Sequence, residues 1–176
     1  MSTTTPRTRS WWGWGWEDAA LSDRDCLAYG ALLPGLAETP IPPPEIRELE
    51  LRPPRLSAPA SLGRFVSVDP RDRASHTYGK AYRDVVRALH RQLDNAPDLV
   101  ARPTSERDVV DLLDWASRSD VAVIPFGGGS SVVGGVEYDG GDHAGVVSLD
   151  LTELNRVLEI DHDSRAARIE AGAFGP

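Results

Sequence analysis

The chain has 176 residues, with 27 Asp and Glu against 19 Lys and Arg and a formal net charge of -8. That balance opposes general nucleic-acid binding, whose affinity comes mostly from neutralising phosphates; the length suffices for one substantial core or a pair of small subdomains. Cys26 is the only cysteine, which excludes an intrachain disulfide and a cysteine-based metal cluster and leads us to expect an intracellular protein. No run of 18 apolar residues suggests an ordinary transmembrane helix. Arg7 and Arg9 lead into Trp-Gly chemistry, so no secretory signal is expected.

Met1–Ser10 is rich in Ser and Thr and is expected to be disordered. Trp11-Trp12-Gly13-Trp14-Gly15-Trp16 then holds four of the five tryptophans. Indoles beside glycine are costly to leave in water, so this segment is expected to pack on a folded body. Stacking on carbohydrate or bases is disfavoured because the segment carries no Lys or Arg of its own.

Glu17–Leu33 reads as a single helix with Ala19, Ala20, Leu27, Ala31 and Leu32 as apolar positions, stopped by Pro34-Gly35. Ile41-Pro42-Pro43-Pro44 and Pro53-Pro54 frame the acidic stretch Glu45–Glu50, an extended connector expected to lie passively over the surface. Basic residues cluster between Arg64 and Arg91, but interleaved Asp69, Asp72 and Asp84 predict a solvated mixed surface. Tyr82, Val85, Val86, Leu89 and Leu93 recur at three- and four-residue steps. That spacing predicts a helix burying this face, with Arg83, Asp84, Arg87 and Arg91 on the outer side. His76 and His90 lack companion ligands at metal spacing, so no metal site is predicted.

From residue 98 the pattern alternates strand, helix and strand. Asp98–Ala101 predicts a short strand, and Ser105 an N-cap with Asp108 at N3. Val109, Val110, Leu112, Leu113 and Ala116 form the expected buried helix face. Val121–Ile124 is a β-branched run expected to end at Pro125. This βαβ unit delivers Gly127-Gly128-Gly129-Ser130-Ser131 to the carboxyl end of a strand, where α/β sheets bind ligands.

Glycines allow the backbone close to a ligand, and successive amides in such a turn face one concavity suited to a phosphate or pyrophosphate. Ser130 and Ser131 add hydroxyl donors, and Gly134-Gly135 prolongs the close approach. A plain glycine-rich connection stands beside this reading. A Walker loop is excluded because Lys80 is the only lysine in the chain. A dinucleotide fingerprint is excluded because Gly127, Gly129 and Gly134 lack its spacing. Asp139-Gly140-Gly141-Asp142 lacks the further oxygen ligands of a calcium loop and reads as a solvated turn. Val146–Leu149, Val157–Ile160 and Ala167–Ala171 read as strands, the last two antiparallel about Asp161-His162-Asp163-Ser164.

Pro125-Phe126-Gly127-Gly128-Gly129-Ser130-Ser131-Val132, followed by Gly134-Gly135, resembles the diphosphate-binding loop of FAD-binding proteins of the vanillyl-alcohol oxidase type. That family commonly has Thr where Ser130 stands, a change that keeps the hydroxyl. The Trp-Gly segment and Tyr78-Gly79-Lys80-Ala81-Tyr82-Arg83-Asp84 narrow the resemblance to the alkyldihydroxyacetonephosphate (alkylglycerone-phosphate) synthase branch and its bacterial members. The resemblance implies an α+β fold: the N-terminal part of a PCMH-type FAD-binding domain with a small βαβ-containing subdomain. The expected division is 1–10 disordered, 11–97 a helical and Pro-rich extension, and 98–176 the first part of the FAD-binding domain. FAD is the implied cofactor, held at its diphosphate by Pro125, Phe126, Gly127, Gly128, Gly129, Ser130, Ser131 and Val132, and no metal is implied.

The same resemblance implies a redox-neutral exchange of the acyl group of acyl-dihydroxyacetone phosphate for a fatty alcohol in ether-lipid synthesis, with flavin N5 as the point of covalent attachment. FAD and a lipid-like substrate are the implied partners, in the cytoplasm or peripheral to a membrane. The catalytic Tyr and His positions of the family find no counterpart up to Pro176, and Glu170–Pro176 corresponds to the lead into the second half of the flavin domain. A fragment is therefore expected, with weak or no retention of FAD and no synthesis of its own. Two alternatives remain open: an FAD-linked oxidase or dehydrogenase of a hydroxy acid or alcohol, which shares the loop but not the Trp-Gly opening, and a non-catalytic flavin-binding fragment.

Overall fold

The computed structural model describes residues 7–36 and 39–175. Their elements run α1 (Asp23–Gly30), β1 (Val66–Ser67), α2 (Pro70–Ser75), α3 (Tyr82–Leu89), β2 (Leu99–Ala101), α4 (Glu106–Arg118), β3 (Val121–Phe126), β4 (Gly145–Asp150), β5 (Val157–Asp161) and β6 (Ala166–Ile169). A four-stranded sheet has the order β1-β2-β4-β3, with β2, β4 and β3 parallel and β1 antiparallel to β2. The fold is α+β, and β5 and β6 form a separate antiparallel hairpin about the expected turn.

Every residue of β2 and β4 is buried, as parallel strands covered on both faces require. β3 pairs with β4 alone and lies at the edge. Pro125, expected to stop this strand, instead stays in register opposite Leu149 and β3 runs on to Phe126; an edge strand tolerates a residue without an N–H.

Helix α4 begins as the sequence predicts, with the Ser105 hydroxyl accepting the Asp108 N–H at 3.2 Å. Leu112 and Ala116 pack with Leu99, Ala101, Val147 and Leu149, and Leu62 and Phe65 from before β1 complete this core. The buried face is narrower than expected: Val110 is 43% and Leu113 45% exposed. Asp108 shares the inner stripe because Arg64 and the N–H and hydroxyl of Thr104 satisfy its carboxylate.

Trp11, Ala74, Tyr78, Ala88 and Leu93 make a second core, with Trp12 packed against it. The expected burial of the tryptophan segment holds for Trp11 at 5% exposure and fails for Trp14 at 62%. Ile46, Leu49 and Leu51 also pack on this core, so the Pro-framed connector is part of the body and not a passive linker. The expected disorder of residues 1–6 lies outside the described residues. Within 7–10, Arg9 bridges Trp16, and Thr8 accepts the Glu17 N–H at 2.9 Å.

Three further expectations are corrected. The single helix over 17–33 divides into a 3₁₀ turn at Glu17–Ala19 and α1, because the Ser22 hydroxyl caps a new start by accepting the Asp25 N–H. In α3 the inner residues are Asp84 and Ala88, whereas Tyr82 is 86% exposed. Two of the charged residues turn inward, Asp84 to accept the Ala81 N–H and Arg87 to lie over the Tyr78 ring and pair with Glu137 at 2.6 Å, while Arg83 and Arg91 stay exposed as expected. Nor is the basic stretch a solvated surface throughout: Arg73 is buried and donates to the Pro97 and Arg52 carbonyls, both at 2.7 Å.

One buried carboxylate ties the connector to the sheet. Asp98 accepts from the guanidinium groups of Arg52 and Arg55 and from the backbone N–H groups of Arg55 and Val146. Burial alone would push its pKa up, but these bonds outweigh it and hold Asp98 far below the usual carboxylate range.

Candidate functional site

The carboxyl ends of the three parallel strands converge. Arg102 follows β2, Gly127 follows β3 and Asp150 ends β4, and all three border one cavity of about 430 Å³. Its other wall is the N-terminal segment, through Arg9, Gly13 and Trp14, with Phe174 arriving from beyond β6. Convergence of loops at this end of a parallel sheet is where such folds bind ligands.

Charge satisfies charge on the sheet side. Asp150 lies 3.1 Å from His76 Nε2, accepts from Arg102 Nε at 3.0 Å, and accepts the Thr152 N–H at 3.0 Å. Arg102 also pairs with Asp72 at 2.7 Å. His76 is presented by α2, whose start is fixed by the Asp69 cap and Pro70 in the first turn. Its ring packs on Phe126 with centroids 4.1 Å apart. Burial works to raise the Asp150 pKa, but the bonds from His76 and Thr152 prevail and hold it at about 2.

The glycine loop is clamped from outside. Lys80 donates its backbone N–H to the Ser131 carbonyl at 2.7 Å and accepts Trp14 Nε1–H at 3.0 Å. A methyl group on Gly79 would overlap that Ser131 carbonyl, so only glycine permits this approach. Gly129 has φ 67°, and a side chain there would begin 2.5 Å from the Phe126 ring. The Lys80 ammonium reaches the Trp11 carbonyl at 3.1 Å. Burial draws its pKa down to about 8, with Asp84 opposing.

The residues singled out in the sequence are therefore divided. Phe126, Gly127, Gly128 and Ser130 line the cavity. Gly129 is buried behind them, and Pro125 is exposed on β3. Ser131 braces the loop through Lys80 and through its hydroxyl, which accepts the Gly135 N–H at 2.9 Å. Val132 is 59% exposed. Sequence reasoning missed His76, Lys80, Arg102 and Asp150 as cavity residues. A signal was present for one of them, since the sole lysine directly follows a glycine in a stretch that carries the family resemblance.

The donor set fits a diphosphate: a glycine backbone without side chains at Gly127 and Gly128, a serine hydroxyl, and a lysine on the facing wall. Comparison with known proteins agrees. Residues 97–176, a little under half of the chain, match the family described as FAD binding domain, and the cofactor this match indicates is FAD. The relatives include alkyldihydroxyacetonephosphate synthases and, at 33% identity over 78 residues, an L-gulono-1,4-lactone dehydrogenase of Mycobacterium tuberculosis. The chain is 38% identical over 112 residues to the synthase of Trypanosoma brucei brucei and 39% identical over 104 residues to that of Dictyostelium discoideum. Those stretches cover 63% and 59% of this chain but 18% and 17% of the relatives. A solved alkyldihydroxyacetonephosphate synthase superposes with a TM-score of 0.78 at 27% identity, over 96% of this chain and 37% of that one.

Proposed function

We propose that this chain supplies the diphosphate-binding part of an FAD-dependent, alkylglycerone-phosphate synthase-like enzyme. Its reaction would exchange the acyl group of acyl-dihydroxyacetone phosphate for a fatty alcohol. One observation carries the reading: the glycine loop and the Trp-Gly segment, the stretches that bear the resemblance, meet around one cavity through Lys80 and Trp14. An oxidase reading accounts for the loop but gives no reason for that segment to wall it.

In this reading Pro125–Val132 act as a unit. Gly127, Gly128 and Ser130 present backbone and hydroxyl to the diphosphate, Phe126 supports them from β3, and Pro125, Ser131 and Val132 fix the entry and exit of the loop. Bound FAD supplies the ring system at which the exchange occurs. The chain's own residues orient that cofactor, and the Trp-Gly segment keeps water from its phosphates. Residues 98–176 form the flavin part in this scheme and 11–97 an extension that closes the cavity. A lipid-like substrate and a cytoplasmic site of action, peripheral to a membrane, complete the proposal; among the described residues no helix is long and apolar enough to cross a membrane.

The test is to isolate the protein from its source cells and assay it with acyl-dihydroxyacetone phosphate and a labelled fatty alcohol, with and without FAD. Ether product that requires FAD is expected. Flavin absorbance accompanied by oxidation of an alcohol or hydroxy acid, with no ether, would replace this reading with the oxidase one.

A further inference from the structure

We propose that Lys80, assisted by Arg9, supplies the counter-charge for a phosphoryl anion in the cavity, and that this anion is the FAD diphosphate. The inference rests on the flavin reading for the identity of its occupant. Its evidence is a contrast among the cavity's own charges. Arg71 is paired with Glu17 at 2.5 Å, Arg102 with Asp72 and Asp150, and His76 contacts Asp150. Among the described residues, Lys80 and Arg9 have no carboxylate within ion-pair distance.

A half-buried ammonium with one carbonyl contact retains two N–H donors, and charges withdrawn from water are normally paired. Arg9 is held by stacking, 4.8 Å from the Trp16 ring centre and 4.5 Å from that of Phe174. Loop amides offer only dipoles, whereas two cations match the two charges of a diphosphate. The Lys80 backbone N–H is bonded to the Ser131 carbonyl, which fixes the root of this side chain against the glycine loop. An anion beside it would also reverse the depression of its pKa caused by burial.

The experiment titrates the 176-residue chain with FAD, riboflavin and glycerol 3-phosphate, using flavin fluorescence and calorimetry. Lys80→Met, Lys80→Arg and Arg9→Met are compared with Arg107→Gln, a charge removal on the exposed side of α4. Lys80→Met is expected to weaken FAD about tenfold while leaving riboflavin unchanged. Arg9→Met should act in the same direction, Lys80→Arg should retain affinity, and Arg107→Gln should have no effect.

Raising the pH from about 7 to about 9.5 should weaken FAD binding to the wild type as Lys80 loses its proton. The charged and titratable groups facing Lys80 are Asp84 from α3 and, around the cavity, Arg9, Arg71, Asp72, His76, Arg102 and Asp150. Lys80→Arg keeps its charge, so a flatter profile in that variant assigns the effect to position 80.

Equal FAD affinity in wild type and Lys80→Met overturns the inference and leaves the flavin reading standing. Equal loss of FAD and riboflavin overturns it too, because the role would then be structural. Lys80-dependent binding of glycerol 3-phosphate without FAD binding keeps the anion site, assigns it to a phosphorylated substrate and overturns the flavin reading. No binding of any of the three overturns the inference, because the anion site would then not be built from this chain's own residues, and leaves the flavin reading to the assay on the protein from its source cells.

Discussion

The two faces of the β2–β4 sheet solve different problems with one backbone. Along β4, Val147 and Leu149 turn to α4 and join an apolar core with Leu99 and Leu112. Val146, Ser148 and Asp150 alternate to the other face, where Asp150 meets His76 and Arg102. The first face supplies stability through area removed from water. The second spends buried space on charges that bind one another and line a cavity. Changes on the α4 face should therefore alter unfolding, and changes around the cavity should alter ligand affinity or pH response.

The largest expected effect is on the apolar face. Leu112 is fully buried between α4 and the sheet, and Leu112→Ala should cost about 2–5 kcal/mol through lost transfer energy and the cavity left behind. Urea unfolding measures this. FAD titration well below the unfolding transition should show unchanged affinity; a parallel loss would show that the faces are not separable.

Asp150 probes the charged face by pH. Its folded pKa of about 2 lies below the ordinary 3.8, so ionisation contributes to stability above about pH 4, and that contribution disappears as pH falls through about 2. The shift corresponds to about 2 kcal/mol. The stability difference between wild type and Asp150→Asn should accordingly shrink between about pH 5 and about pH 2. A difference independent of pH would mean that shape, and not charge, holds His76 and Arg102 in place.

Within the loop the comparison becomes local. A side chain at Gly128 would begin 3.2 Å from the ring of Phe174, which is 51% exposed. Gly128→Val should leave the melting temperature nearly unchanged and weaken FAD about tenfold, by filling space the diphosphate needs. Equal dissociation constants would exclude a close phosphate contact at this position.

What was legible in the sequence was mostly local chemistry. Ser105 announces the start of α4, the β-branched run at Val121 announces β3, and the consecutive glycines announce a loop able to approach a phosphate. The insertion of β4 between β2 and β3 was hidden because strand order depends on contacts distant in sequence. The inner side of α3 was hidden for a related reason. Periodicity sends charges to water, but the partner that keeps Arg87 inside is Glu137, fifty residues away. The sole lysine beside Gly79 marked position 80 as unusual, but its place in the cavity was hidden, since the Trp11 and Ser131 carbonyls that hold it lie 69 and 51 positions along the chain.

The smallest predicted effect tests that lesson on α4. Apolar spacing placed Leu113 with Leu112 on the inner face, yet residues adjacent on a helix point about 100° apart, and a single sheet covers only one stripe. Leu112 takes the stripe, and Leu113 remains 45% exposed. Leu113→Gln should thus change unfolding free energy by no more than about 0.5 kcal/mol. The paired measurement is Leu112→Gln, which places an amide in the fully buried position and should be far more destabilising. Comparable losses from the two substitutions would mean that α4 buries the wider face the sequence suggested, and that the apolar side of the sheet extends around the helix.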